Sequence, residues 1–279
     1  NATTPLDARY RFDPADPDLI RHPYRPYYEY LRGVPGLHKA ATEYFAASRY
    51  ADVREVITNH AAFGQGNFVH NIQLYYGPEF DVMAHSSYRW LSEVFVMQDP
   101  PAHTRLRKLV AFALTPKRVA AMQPRIQEIV DGLIDAMLAK GEIELLWDFA
   151  YQLPTLVMCD MLGLEGDERS PASLARLTRA VAESFIVFET RALEPELLAQ
   201  ADAQMDFLND FFGRIYDRKR ANPQDDLTSA LVQATDEDGS ALTRAEVANV
   251  IVAMFGAGFE TTAHMIGNGM LAMHRAPGQ

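Results

Sequence analysis

The stretch Ala257-Gly258-Phe259-Glu260-Thr261-Thr262 lies inside a long apolar run that is predicted to be helical from about Thr243 to His274. The run opens with Thr243 and Glu246, the spacing of a capping box, in which the two side chains satisfy the first free amides of a helix. A helix this long, apolar on most faces, is expected to cross the core of the molecule. Its apolar residues recur with a 3.6-residue period, at Val247, Val250, Ile251, Met254 and Phe255.

The middle of this predicted helix is unfavourable for helix formation. Gly256 and Gly258 each cost about 1 kcal/mol relative to alanine. Glu260 would lie in a buried stretch, and Thr261 and Thr262 can bend a helix by bonding back to earlier carbonyls. Small residues, one acid and two hydroxyls at one point favour room for a ligand together with a proton path. The alternative is a packing notch where another helix crosses closely.

The composition limits the class of protein. At 279 residues and 48% hydrophobic content the chain can bury a large core, as one large domain or two small ones. A formal charge of −11 argues against a general nucleic-acid binder, which needs a basic surface. With Cys159 as its single cysteine the chain has no disulfide framework, which favours a reducing compartment. No signal peptide or uninterrupted membrane-length apolar run is evident, so we predict a cytoplasmic protein that binds no membrane.

The chain reads as mainly α with a small β portion. Residues 1–23 resemble a surface arm, and two short strands are predicted at Leu37–Ala41 and Tyr44–Ser48 around a turn. From Phe63 to Gln98 the periodicity is lost, which predicts a long aromatic loop. Such loops are often functional, although a surface loop anchored by its own aromatic residues is the alternative. From residue 99 onward nearly all of the chain is predicted to be helical.

A helix is predicted to start at Asp99-Pro100-Pro101, since proline is tolerated in a first helical turn. His103 and Arg107 are four residues apart on it and therefore share a face. Two donors that face one way can hold a carboxylate or a phosphate, although such pairs are also common on solvated helix faces.

The order of these motifs resembles the cytochrome P450 monooxygenases, in particular the soluble bacterial type. The family's distal helix carries a small residue, Gly, any residue, an acid and Thr, which here is Ala257 to Thr261. An earlier helix carries a His and an Arg four apart after Asp-Pro-Pro, here His103 and Arg107 after Asp99. The resemblance runs from about Pro14 to the end of the chain. A helical protein outside the family that carries these motifs by chance is the remaining alternative.

The resemblance implies roles for the site residues. His103 and Arg107 would bind the propionates of haem b, and Ala257 and Gly258 would let the distal helix approach the haem. Thr261 would hold dioxygen by hydrogen bonding and Glu260 would relay protons, both as catalytic residues. Substrate, a small apolar organic molecule, would contact Phe95, Val96 and Phe259. The basic stretch around Arg105, Lys108 and Arg118 would favour a ferredoxin-type electron donor.

The chain departs from the family pattern in one respect. The cysteine thiolate that binds iron in this family follows a Glu-x-x-Arg helix, and neither motif is found in these 279 residues. Cys159 lies in a different motif and is expected to pack as a small hydrophobe, and His264 is expected to pack rather than bind metal. The resemblance therefore implies one P450-like domain over residues 1–279, truncated after the central distal helix and inactive alone. The alternative is a haem-free P450-like auxiliary or binding protein that acts through a protein partner.

Overall fold

The structure is a computed structural model, and it describes residues 25–39, 45–189, 191–235, 239–276 and 278. The predicted arm at 1–23 and the turn at Thr42-Glu43 lie outside the described residues. Two compact units are found, one of residues 1–82 with 188–194 and the other of residues 83–187 with 195–279.

In its described residues, the first unit combines three α-helices with a small sheet. Its strands pair antiparallel, with Leu37 opposite Ala47 and Lys39 opposite Phe45, so both predicted strands are confirmed within the described residues. Along the chain its elements are α1 (Arg25–Gly33), β1 (Leu37–Lys39), β2 (Phe45–Ala47), α2 (Tyr50–Thr58) and α3 (Phe68–Tyr76).

The main elements of the second unit are helices, as the sequence predicts for the chain after residue 99. A single turn of π-helix, Leu146–Ala150, leads into α8, and short 3₁₀ turns lie at Phe95–Met97, Gly166–Arg169 and Phe185–Phe188. The helices are α4 (Ser86–Glu93), α5 (Ala102–Ala113), α6 (Pro116–Ala121), α7 (Gln123–Lys140), α8 (Gln152–Leu162), α9 (Pro171–Ser184), α10 (Pro195–Ala221), α11 (Leu227–Gln233) and α12 (Arg244–Arg275).

The central helix α12 organises this unit. Its predicted capping box is present, with Thr243 and Glu246 each accepting the other's backbone amide. The helix packs against α8, α9 and α10, and its side chains are buried at most positions from Val247 to Phe259. It continues through Gly256 and Gly258 without a break, because tertiary packing outweighs their low helix propensity. By length and composition alone α12 could cross a membrane, but a largely buried core helix passes the same test.

One prediction of local structure is wrong. The segment 63–98 is not one long loop, because α3 and α4 occupy Phe68–Tyr76 and Ser86–Glu93. Helix α4 buries five of its eight residues, so apolar and polar positions do not alternate with a helical period.

Candidate active site

One face of α12 is open at the residues that the sequence singles out. Ala257 and Thr261 are exposed and lie one turn apart, and His264, Met265 and Asn268 continue the same exposed face. The hydroxyl of Thr261 donates to the carbonyl oxygen of Ala257 at 2.6 Å. This is the back-bonding that the sequence suggested, and the helix accommodates it without a break. The Thr261 oxygen keeps its lone pairs for a donor from a ligand.

Gly258 lies on a different side of α12 from this open face. A Cβ atom there would be 2.9 Å from Sδ of Met158 on α8. The absence of a side chain therefore lets α8 approach α12 closely. At this residue the packing-notch alternative has direct structural support.

Glu260 lines a cavity of about 580 Å³ between α8, α9 and α12. Its carboxylate is half-buried and makes no hydrogen bond or ion pair within the described part of the chain. The cavity is otherwise lined by Trp147, Tyr151, Gln152, Thr155, Leu156, Arg169, Pro171, Leu174, Ala175, Thr178, Arg179, Ala182 and Phe259. A half-buried acid with no partner can take up and release a proton, which is the chemistry expected of Glu260.

Tyr151 and His264 form a polar pair at this cavity. The Tyr151 hydroxyl is 3.0 Å from Nε2 of His264, and the phenol ring stacks on the exposed ring of Trp147. Burial and, to a lesser extent, the charge of Glu260 raise the pKa of Tyr151. His264 is exposed rather than packed, contrary to the prediction. Sequence reasoning missed Tyr151. The one signal that the sequence offered was the four-residue spacing between Glu260 and His264, which could have placed these two residues on one face of α12.

His103 and Arg107 lie on α5, where His103 is half-buried and Arg107 exposed. The His103 ring stacks on Phe95, with ring centroids 6.3 Å apart. The side chains of His103 and Arg107 make no hydrogen bond or ion pair to another described residue, so both keep their donors for a ligand. The structure thus brings Phe95 and His103 together, but no contact in the described residues joins this pair to Ala257 or Gly258.

The two remaining predicted substrate contacts lie in different environments. Val96 is exposed. Phe259 is buried, with its ring centroid 5.5 Å from that of Phe255 and 6.3 Å from that of Tyr151. Phe259 therefore lines the Glu260 cavity and not the open face of α12.

The predicted basic stretch is partly neutralised. Arg105 forms an ion pair with Glu246 at the start of α12, and Arg118 lies 3.5 Å from Asp225. Ion pairing lowers the net positive charge that these two arginines offer to an acidic partner.

Cys159 is fully buried on α8, and burial raises the pKa of its thiol to about 12. The thiol is therefore protonated at neutral pH, as expected of a cysteine that packs as a small hydrophobe. No cluster of three or more His, Cys, Asp or Glu side chains that could hold a metal occurs among the residues that the structure describes.

Comparison with known proteins assigns the family. Residues 56–278 match the family described as Cytochrome P450. The chain is 40% identical over 191 residues to cytochrome P450 monooxygenase PikC of Streptomyces venezuelae, covering 68% of this chain and 43% of that protein. It is 33% identical to vitamin D(3) 25-hydroxylase of Pseudonocardia autotrophica over 186 residues, covering 67% and 43% of the two chains.

A solved structure gives the same result for the fold. The crystal structure of CalO2 superposes with a TM-score of 0.80 at 27% identity, covering 97% of this chain and 64% of CalO2. The chain thus spans less than half of the two curated relatives and under two thirds of this structural neighbour. Because the family match covers most of the sequence and is supported by the fold, the chain belongs to the cytochrome P450 family.

Proposed function

We propose that this protein acts as a haem-dependent monooxygenase that inserts one oxygen atom of O2 into a small apolar organic substrate. The observation that carries the proposal is the open face of α12, where exposed Ala257 and Thr261 lie one turn apart and Glu260 faces the adjacent cavity. The activity named for vitamin D(3) 25-hydroxylase, a relative at 33% identity, supports an apolar substrate. Substrate contacts are proposed at Phe95, Val96 and Phe259.

The residues of this chain fit a haem group. Haem is flat and apolar with two carboxylates, and the small side chain of Ala257 leaves the surface of α12 open to a flat ligand. On α5, His103 and Arg107 are two donors one turn apart with no acidic partner among the described residues. We assign propionate binding to this pair, as charge-assisted hydrogen bonds. Gly258 contributes indirectly, by letting α8 pack closely against α12.

The haem, when bound, supplies the activation of dioxygen. Side chains of this protein carry out the proton transfer and the positioning of the ligand. Releasing one oxygen atom as water consumes two electrons and two protons per turnover. Glu260 would take up protons at the cavity, and the Thr261 hydroxyl, which donates to the Ala257 carbonyl oxygen, would accept a hydrogen bond from a donor group of a ligand at the open face. Electrons come from an acidic ferredoxin-type donor, and we place the reaction in the cytoplasm in a single P450-like domain.

A haem-free auxiliary protein that acts through a protein partner is the second candidate. It is favoured by the exposed apolar side chains of α12, among them Met265 and Met273. The two functions differ in whether haem is retained.

The test is an absorbance spectrum of the purified full-length gene product, reduced and exposed to carbon monoxide, with its intact mass. A thiolate-type Soret band with a mass above 31.3 kDa is the expected result. A haem-free protein at the mass of these 279 residues contradicts the proposal and favours the auxiliary protein.

The propionate assignment is tested separately by haem retention. His103→Phe and Arg107→Ala are each expected to lower haem affinity by about tenfold, as expected for the loss of one charge-assisted hydrogen bond. Arg220→Ala is the matched control, since Arg220 is exposed on α10 and has no ion pair among the described residues. Equal haem retention in all three variants contradicts the assignment.

A further inference from the structure

Tyr151 and His264 form a polar pair beside the cavity that Glu260 lines. His264 is exposed, and its Nε2 atom lies 3.0 Å from the Tyr151 hydroxyl. Tyr151 lines the same cavity as Glu260. His264 follows Glu260 by four residues, so both project from one face of α12. An imidazole, a phenol and a half-buried acid therefore lie around one cavity, and the first two are within hydrogen-bond distance of each other.

The other polar groups of the cavity are committed or unsuited to proton transfer. The hydroxyls of Thr155 and Thr178 donate to carbonyls of their own helices, at 2.7 and 3.0 Å. Arg169 is paired with Asp160. Of the three remaining polar groups, the Trp147 indole and the Gln152 amide do not titrate in water, and the Arg179 guanidinium keeps its proton in proteins. Among the described residues that line the cavity, Tyr151 is thus the one whose hydroxyl lies beside a titratable partner, which is His264.

We infer that His264 and Tyr151 relay protons from solvent to Glu260 during turnover, an inference that rests on the proposed monooxygenase function. The protonated imidazole gives its Nε2 hydrogen to the Tyr151 oxygen as the phenol releases its own hydrogen to a cavity water that protonates the Glu260 carboxylate. The neutral imidazole then regains a proton from solvent. No electrons move, and each cycle delivers one proton.

The ionisation of Tyr151 agrees with this role. Because burial and the Glu260 charge raise its pKa, the phenol stays neutral near pH 7 and releases a proton only as another arrives. Histidine suits the solvent end of the relay because each of its two ring nitrogens can donate or accept a hydrogen bond. The other charged groups at this cavity are Arg169 and Arg179, both of which keep their charge in this range.

The test is Tyr151→Phe in the full-length, haem-loaded protein, since phenylalanine keeps the ring contacts with Trp147 and Phe259 and removes only the hydroxyl. Product formation driven by O2 and an electron donor is expected to fall about tenfold, less than for loss of a direct acid because water can partly substitute. Hydrogen peroxide already contains the two electrons and two protons that O2 requires. Peroxide-driven product formation is therefore expected to change by less than about twofold.

Two variants and one spectroscopic measurement complete the test. His264→Gln keeps an amide near Tyr151 but cannot titrate, so the same selective loss is expected. Tyr216→Phe is the control, since it removes a hydroxyl from a buried tyrosine that does not line the cavity. In the full-length protein, Tyr151→Phe is expected to shift the ¹⁵N resonance of His264 Nε2, a readout that does not depend on activity.

The outcomes separate the relay from the proposed function. An active wild-type protein whose Tyr151→Phe variant keeps its O2-driven rate overturns the relay alone. If O2-driven and peroxide-driven product formation fall equally, the hydroxyl has a structural role, and this outcome overturns the relay as well. A haem-loaded wild-type protein that forms no product by either route overturns the monooxygenase proposal, and the relay with it.

Discussion

At the scale of single residues, Gly256 shows that neighbouring side chains can require a glycine inside a helix. A Cβ atom at Gly256 would lie 2.3 Å from Cζ of Phe185 and 3.0 Å from Cγ1 of Val181. The Phe185 ring cannot easily retreat, because it stacks on buried Trp90 with centroids 5.2 Å apart. Overpacking of this kind costs about 1–3 kcal/mol, whereas replacing glycine by alanine in a helix gains about 1 kcal/mol.

We therefore expect Gly256→Ala to lower the free energy of unfolding by up to about 2 kcal/mol. Gly269→Ala is the matched control on the same helix, because nothing lies within 4 Å of its Cβ position, and it should raise stability by about 0.5–1 kcal/mol. Urea unfolding of both variants measures the difference. Equal stabilisation by the two substitutions would show that the Phe185 ring moves freely.

Cys159 gives a prediction for alkaline pH. Burial raises the pKa of its thiol from an ordinary value of 9.0 to about 12. Above pH 9 the unfolded chain loses this proton more readily than the folded chain, so stability falls as pH rises from 9 towards 12. We expect Cys159→Ala to reduce the slope of the unfolding free energy against pH in this range. If the wild type and Cys159→Ala had the same slope of unfolding free energy against pH between pH 9 and 11, the result would contradict a buried, protonated thiol.

At the scale of elements, the buried Lys219 joins α10, α11 and the turn before α9. Its Nζ atom lies 2.5 Å from Oε1 of Glu165, 2.8 Å from Oδ2 of Asp226 and 2.9 Å from Oε1 of Gln224. Asp226 also caps α11 by accepting the amide of Ser229. Lys219 thus holds the start of α11 against the end of α10.

Lys219→Met is expected to destabilise the fold by about 3–5 kcal/mol, because the buried Asp226 carboxylate would lose its cation. Adding Asp226→Asn should restore part of this loss, since asparagine is neutral and still caps a helix. The neighbouring Arg220→Met, exposed and without an ion pair among the described residues, should stay within about 0.5 kcal/mol of wild type. Thermal unfolding of the four proteins decides, and equal effects of the Lys219 and Arg220 changes would refute the argument.

Elements also show what could be predicted from the sequence. The start of α12 was predictable, because the Thr243–Glu246 capping box and the following apolar period are local signals. Helices α3 and α4 were not, since short helices with aromatic residues on several faces lack a clear period. Ala257 and Thr261 were found from a contiguous motif. The contact between Tyr151 and His264 joins residues 113 apart and depends on how α8 packs against α12.

At the scale of the whole molecule, the exposed apolar side chains of the second unit determine how the isolated chain behaves. Beyond Ala263, α12 exposes Met265 by 67% and Met273 by 59%, and α7 exposes Leu138 by 75%. Large exposed apolar surfaces favour association with a partner or with further copies of the same chain. The formal charge of −11 opposes self-association only weakly at physiological salt, where charges are screened beyond about 8 Å.

We therefore expect the 279-residue chain to bind a hydrophobic dye and to self-associate in size-exclusion chromatography with light scattering. Met265→Lys combined with Met273→Lys should raise the monomer fraction and reduce dye binding, because it places two charges on the exposed face of α12. A control with Gln200→Lys and Asn222→Lys adds the same charge at exposed polar positions of the second unit and should remain associated. If both double variants became monomeric, net charge rather than the apolar face of α12 would govern association.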